Sequence, residues 1–242
     1  MNEVTICNLA LSHLGDTAKV TSIKPPDGSM QAQLCANFYP QARNSLLEMS
    51  AWGFALKRVA LSSVTNPTVN SWTDDNGNAQ TSAGTWLYAY AVPSDVANYI
   101  AVIPIDAVDD YEQTYPSVGM NPYPIYPAGT LPVPGGSSFV PQPFAIETVS
   151  GQEIVLTNVE NAVLRYSAVV TDTTLFSALF TTALSYLLAS MLAGPIIKGD
   201  AGMAVGMQMM QAFSGWFGKA VASDANQRKV NVQAAPSWIR GR

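Results

Sequence analysis

Residues 173–197 read TTLFSALFTTALSYLLASMLAGPII, twenty-five positions without a charged side chain. A run of that length could cross a bilayer, so its reading decides what kind of chain this is. Hydroxyls recur along it at Thr173, Thr174, Ser177, Thr181, Thr182, Ser185 and Ser190, and it lacks the basic flank that sets a membrane orientation. Strongly apolar helices also occupy the centres of protein cores. The reading adopted is therefore a buried helix of a bundle, opened by Thr171 and Asp172 and largely closed by Gly194-Pro195. Insertion of residues 173–197 into a membrane is the competing reading.

Beyond Lys198-Gly199-Asp200, a last helix is expected to about Ala225. Met203, Met207, Met210, Phe213, Phe217 and Val221 form one stripe of it. The neighbouring stripe, Gly202, Gly206, Ser214, Gly218 and Ala222, is small enough to let another helix approach closely. At the other end of the chain, Ile6, Leu9, Ala10, His13 and Leu14 mark the buried face of a helix over residues 3–14, which Gly15 can stop. After the Lys24-Pro25-Pro26-Asp27-Gly28 turn, Ser29 is the expected N-cap of a second helix to about Ala51, kinked at Pro40.

The middle has another texture. Ala55, Lys57, Val59 and Leu61 interleave at strand length, and Thr85–Val92 is rich in aromatic, β-prone residues. The polar stretch with Asp74, Asp75, Asn76 and Gly77 reads as a turn or mobile loop. Eight of the sixteen prolines fall between 116 and 143, which neither a helix nor a central strand tolerates. Phe144–Thr148, Glu153–Asn158 and Ala162–Val170 read as short strands, the first two joined by a turn at Gly151. The expected fold class is α+β, a helical bundle formed by the N- and C-terminal segments with an inserted β-rich domain and a Pro-rich arm. The boundaries are 1–53 helical, 54–170 β-rich with the arm at 115–144, 171–225 helical, and 226–242 an extended C-terminal tail.

Composition limits the chemistry. Charged residues make up 12% of the 242, about half the roughly 25% usual in soluble domains, so much of the surface is expected to meet other protein. A net charge of −5 argues against gripping nucleic acid through phosphate neutralisation. An acidic wall would instead let a phosphate backbone slide past. Cys7 and Cys35 lack the density of a disulfide scaffold and read as small core residues. No signal peptide is evident at the N-terminus, and synthesis in a reducing cytoplasm is expected.

No catalytic, cofactor or metal site is expected. His13, the single histidine, lies on the core-facing stripe and reads as a satisfied core residue. No phosphate-cradling loop, metal-spaced His or Cys pair, or nucleophile elbow occurs. Asp106, Asp109, Asp110 and Glu112 form the densest carboxylate cluster. Paired acid and base work, as in a cell-wall hydrolase, is conceivable for them, but the spacing is not that of a calcium loop and a solvated acidic loop is the reading adopted. Trp52, Phe54, Trp72, Trp86, Tyr88 and Tyr90 lack the basic groove of a base-stacking platform, so packing explains them. The aromatics of the Pro-rich arm, Tyr123, Tyr126 and Phe139, are read as gripping a neighbouring subunit or partner.

Three segments near the N-terminus carry a resemblance: residues 8–16 (NLALSHLGD), 38–47 (FYPQARNSLL) and 52–58 (WGFALKR). Together with Tyr88-Ala89-Tyr90-Ala91-Val92-Pro93-Ser94-Asp95, and with Arg165-Tyr166 followed by Asp172 and Phe176, the chain resembles the head-tail adaptors, or tail tubular proteins A, of short-tailed phages. The likeness covers about two thirds of the sequence and rests on the order and spacing of these segments. It implies a homo-oligomeric ring, a dodecamer, beneath the portal protein of the capsid, continuing the DNA channel and presenting a platform to the tail nozzle protein. Double-stranded DNA would pass without specific binding. The implied location is the virion tail, after assembly in the host cytoplasm, without stable membrane insertion. Carried over by position, Arg228, Lys229, Trp238 and Arg240 would contact the portal, and the β-rich insert would face neighbouring subunits and the nozzle. The alternative is a membrane-active ejection protein that inserts residues 173–197.

Overall fold

In the computed structural model, residues 1–73, 76–82, 84–105 and 142–227 are described. Their elements, in chain order, are helices α1 (Glu3–His13) and α2 (Met30–Glu48), strands β1 (Leu56–Ala60), β2 (Ser63–Val64), β3 (Asn70–Thr73), β4 (Ala79–Ser82), β5 (Tyr88–Ala91), β6 (Val96–Ile103), β7 (Phe144–Val149), β8 (Gln152–Thr157) and β9 (Val163–Ala168), then helices α3 (Ala178–Ile197) and α4 (Gly199–Asn226). Mixed helix and sheet make the chain α+β. Two units are distinguished: Met1–Lys57 with Asp95–Tyr99 and Tyr166–Gln227, and Arg58–Ser94 with Ile100–Arg165.

In the first unit, Asn2 caps α1 by accepting a hydrogen bond from the Thr5 amide at 2.8 Å. The helix stops where Gly15 takes a φ of 76°, the left-handed region that glycine enters without a Cβ clash. Its buried residues are Ile6, Cys7, Ala10 and Leu11. The expected stripe is thus rotated by about one residue, and Leu9, His13 and Leu14 are only half-buried. Offsets of 0, 1, 4 and 5 make as good a helical face, and the small Cys7 lets α1 settle on that side.

Ser29 caps α2 through the Ala32 amide at 3.1 Å. The helix runs through Pro40 and ends at Glu48, three residues before the expected limit. The chain then turns at Ser50 and Ala51, and Trp52 enters the core, 1% exposed, its indole N–H donating to the Leu46 carbonyl at 2.8 Å. Its ring meets Phe180 edge-on at 4.9 Å.

The uncharged run does not start as a helix. Asp172 accepts the Thr174 amide at 2.9 Å and holds residues Thr173–Leu175 in a 3-10 turn, after which Ser177 caps α3 through the Phe180 amide at 3.2 Å. Pro195 lies inside the helix, and Lys198, at a φ of 62°, ends it. Phe180, Leu184, Leu187, Leu188 and Leu192 are buried, each burial favouring the folded state by about 2 kcal/mol as an upper estimate. α3 packs against α1, α2 and α4.

On α4 the two expected stripes divide unevenly between core and surface. Met203, Met207 and Met210 are 63%, 69% and 44% exposed, whereas Gly202, Phe213 and Ala220 are buried. Part of the small stripe carries the packing. A Cβ on Gly202 would sit 3.0 Å from the Ala193 carbonyl oxygen, and one on Gly206 would sit 3.4 Å from the Ser190 carbonyl oxygen. Gly218 has nothing within 4 Å of a built Cβ, and Ser214 and Ala222 are exposed.

In the second unit, β2, β5, β8 and β7 form an antiparallel sheet in that order. β8 is central and buries Ile154, Val155, Leu156 and Thr157 on both faces, while its first two residues stay exposed. The β7–β8 hairpin turns on Ser150 and Gly151, with φ of 52° and 79°. Two successive positive φ values match the right-handed twist of the flanking strands. β3 and β4 pair antiparallel on either side of the expected polar turn, with Thr73 opposite Ala79. The remaining sheet has the order β1-β9-β6. β6 is a strand that the sequence reading does not include.

Candidate functional site

Three arrangements in the first unit bring together residues singled out from sequence. Asp95 ends the Tyr88–Asp95 segment of the resemblance. Its carboxylate accepts hydrogen bonds from the Lys57 ammonium at 2.6 Å and the Tyr166 hydroxyl at 2.9 Å, and its carbonyl accepts the Val169 amide at 2.7 Å. Lys57 belongs to the Trp52–Arg58 segment and Tyr166 to the Arg165-Tyr166 pair, so three distant stretches converge on one carboxylate. The Lys57 ammonium, then the Tyr166 hydroxyl, holds the Asp95 carboxyl below its ordinary range. Burial, followed by the hydrogen bond to Asp95, pushes the Tyr166 phenol up to about 12. The cluster fixes backbone, and the shifts of its carboxyl and its phenol both run away from neutrality.

His13 closes the second arrangement. A ring nitrogen, Nε2, lies 3.0 Å from Ser185 Oγ, whose hydroxyl also donates to the Thr182 carbonyl at 2.8 Å. The imidazole stacks on Tyr186 at 4.0 Å, Tyr186 lies parallel to Trp216 at 6.5 Å, and the Lys219 ammonium sits 4.3 Å over the Trp216 ring. Burial pulls the His13 pKa below its ordinary 6.5. Ser185 is fully buried, so this serine and histidine offer no reachable nucleophile.

Arg43, from the Phe38–Leu47 segment, is 6% exposed. It donates through Nε and a terminal nitrogen to the Asn44 side chain at 3.1 and 2.9 Å, lies 3.9 Å from Glu3, and faces the Tyr39 ring. Glu3 also pairs with Lys24 at 3.0 Å. The Tyr39 hydroxyl, buried without a hydrogen-bond partner among the described residues, is raised above its ordinary range by burial. Cys7 and Cys35 are both buried free thiols, and the Cys7 thiol is pushed up by its hydrogen bond to Cys35 and then by burial.

An open cleft of about 600 Å³ lies between the end of α1 and the loop that follows. Two of its polar side chains are committed: the Asn8 amide spans the Val20 N–H and carbonyl at 2.8 and 2.9 Å, and Asp16 accepts from the Ala18 amide and from Gln31. Among the described residues no three of His, Cys, Asp and Glu converge as metal donors. Trp52 and Phe54 lie in the helical core, Trp86 packs on Ala89, Ile154 and Leu156, and Tyr88 stacks on Tyr90 at 6.3 Å. Arg228, Lys229, Trp238 and Arg240, the arm residues Tyr123, Tyr126 and Phe139, and the acidic cluster Asp106, Asp109, Asp110 and Glu112 lie outside the described residues.

The feature that sequence reading missed is the outward side of α4. Its signal was present as a run of 18 residues, Ala201–Gly218, without a charge, but periodicity alone does not say which of two adjacent stripes faces the core. No known protein family matches the chain, and no curated protein matches it either.

Proposed function

We propose that this chain is a structural head-tail adaptor of a phage virion. It would form a ring, a dodecamer by the resemblance, that joins the portal to the tail nozzle and continues the DNA channel. The observation that carries the reading is the convergence of Lys57, Asp95 and Tyr166, which ties three of the resembling segments into one hydrogen-bonded cluster. The segments that carry the likeness in order and spacing thus pack together in this chain, which supports the reading.

In this reading the terminal helices make a bundle that builds the ring, and the β-rich middle is an inserted domain for neighbours and nozzle. Arg228, Lys229, Trp238 and Arg240 meet the portal; Tyr123, Tyr126 and Phe139 meet a neighbouring subunit or the nozzle. The low charge density suits flanks buried in a ring, and the acidic total suits a conduit that must release the genome. The protein works by geometry and interface area, without a chemical step or cofactor. It belongs to the virion tail and is assembled in the host cytoplasm.

The membrane-inserting alternative uses the same apolar run. By length and composition α3 could span a bilayer, yet it spends that surface on α1, α2 and α4. Light scattering and negative-stain imaging of the protein, alone and mixed with its portal, test the adaptor reading. A ring or a portal-bound ring is expected. A monomer that never joins a portal, or one that floats with liposomes, overturns it.

A further inference from the structure

We propose that Asn76 is a site of spontaneous covalent modification, an asparagine that cyclises onto the amide of Gly77 and then opens to aspartate and isoaspartate. The proposal is independent of the adaptor reading.

Sequence and fold single out the pair. Ring closure needs the main-chain nitrogen of the following residue to reach the asparagine side chain, and a Cβ on that residue hinders the approach, which glycine does not. Asn76-Gly77 is the one place in the chain where asparagine precedes glycine. The pair lies in the connection between β3 and β4, after Thr73 and before its partner Ala79. Asn76, Gly77 and Asn78 are exposed. Gly77 takes a φ of 81°, and a Cβ built on it would meet nothing within 4 Å among the described residues, so its surroundings leave room for the ring. Other asparagines lack one condition or another. Asn66 precedes Pro67, which has no N–H to give up. Asn158 precedes the branched Val159 and accepts the Leu87 amide at 2.9 Å, and the Asn8 amide is held by both backbone groups of Val20.

The atoms balance without a cofactor. A hydroxide ion removes the Gly77 amide proton, and the nitrogen attacks Cγ of Asn76. A C–N bond forms there, the bond from Cγ to the side-chain nitrogen breaks, and that nitrogen leaves as ammonia after taking a proton from water. Water then opens the five-membered imide at either carbonyl. Opening at the side-chain carbonyl leaves aspartate; opening at the main-chain carbonyl leaves isoaspartate, with one more methylene in the backbone. Either product adds a negative charge to a chain of net charge −5.

Asp27-Gly28 is the internal comparison. It is the single Asp-Gly step, Gly28 has a φ of 93°, and Asp27 is exposed as well, so neither exposure nor glycine separates the two turns. Hydrogen bonds do. One carboxylate oxygen of Asp27 accepts from the Thr21 amide at 2.7 Å and hydroxyl at 3.0 Å, the other from the Ser29 amide at 3.0 Å and hydroxyl at 2.7 Å. These donors, the Ser29 hydroxyl first, hold the carboxyl ionised, below its ordinary range. Cyclisation of an aspartate needs the protonated acid, whose hydroxyl is the leaving group. The fold therefore suppresses the step at Asp27 and leaves the one at Asn76 open.

The test holds the full chain at mildly alkaline pH, folded and in guanidinium chloride, and maps its peptides by mass spectrometry over days, for wild type and Gly77→Ala. In the folded wild type the Asn76 peptide should gain about 1 Da and yield both isoaspartate and aspartate. Gly77→Ala should slow the change by about tenfold or more, through the added Cβ. Isoaspartate at Asp27 should form at least about tenfold faster in the unfolded chain than in the folded one. An Asn76 that stays intact in the folded chain while the unfolded chain is converted overturns the proposal. So does aspartate without isoaspartate, which is direct hydrolysis, or a Gly77→Ala chain that reacts as fast as wild type. An Asp27 that isomerises equally in both states overturns the protection assigned to its four donors. None of these failures touches the adaptor reading, which its portal test decides.

Discussion

At the scale of single residues, the clusters at His13 and Asp95 respond to pH in the same direction at different pH. His13 has a folded pKa below its ordinary 6.5 because burial disfavours the imidazolium. As pH falls below that value, the unfolded chain takes up the proton before the folded chain does, and stability drops until pH passes the folded pKa. Urea midpoints at pH 7.5 and 5.5 should therefore fall further for wild type than for His13→Gln, which keeps a polar group near Ser185 and does not titrate. Asp95 behaves likewise at lower pH: its lowered pKa contributes stability above the ordinary carboxylate range that is lost as pH falls through the folded value. Lys57 is 54% exposed, so its share is small. Tyr166 is 4% exposed, and Tyr166→Phe should cost about 1–2 kcal/mol in urea unfolding near pH 7. Little of that loss should remain in an Asp95→Asn background, which a double-mutant cycle measures.

At the scale of elements, the glycines of α4 separate packing from propensity. Glycine to alanine in a helix interior gains up to about 1 kcal/mol where the new methyl fits. At Gly206 it would meet the Ser190 carbonyl oxygen at 3.4 Å and the Ala193 Cβ at 3.6 Å, close to ordinary contact, so Gly206→Ala should be neutral or stabilising by thermal melting. At Gly202 it would meet the Ala193 carbonyl oxygen at 3.0 Å, an atom fixed in the α3 backbone. Gly202→Ala should therefore destabilise, and a higher melting temperature for it would show that α3 and α4 are not held that closely. Helices were the more legible elements because some of their ends carry chemical marks that were read, the Ser29 cap and the Gly15 stop, whereas α3 is capped by Ser177, five residues beyond the expected opening at Asp172. Strands were less so. β6 contains Asn98 and Tyr99 among apolar residues without alternation, and β3 and β4 are polar enough to pass for part of the loop they flank. The clamp at Asp95 was visible only as a Pro-x-Asp turn, since nothing in sequence tells a carboxylate which distant ammonium or phenol it will meet. The methionine stripe splits: its three methionines stay exposed, whereas Phe213 is buried and Phe217 and Val221 pack on the helical core.

At the scale of the whole molecule, two other glycines of α4 distinguish a chain made to stand alone from one made to be joined. A built Cβ on Gly215 or Gly218 meets nothing within 4 Å among the described residues, so the double variant Gly215→Ala/Gly218→Ala should stabilise the isolated chain, by up to about 2 kcal/mol. If α4 receives a second copy there, the two new methyl groups hold the helices apart and self-association should weaken at the same time. The two effects have opposite signs, which no general loss of folding can imitate. A raised melting temperature with a lowered association constant, read by scattering and calorimetry on one sample, would put a subunit contact of the ring on α4. A variant both more stable and equally associated would put the contact elsewhere on the surface, and the low charge density of the chain would then need another face to account for it.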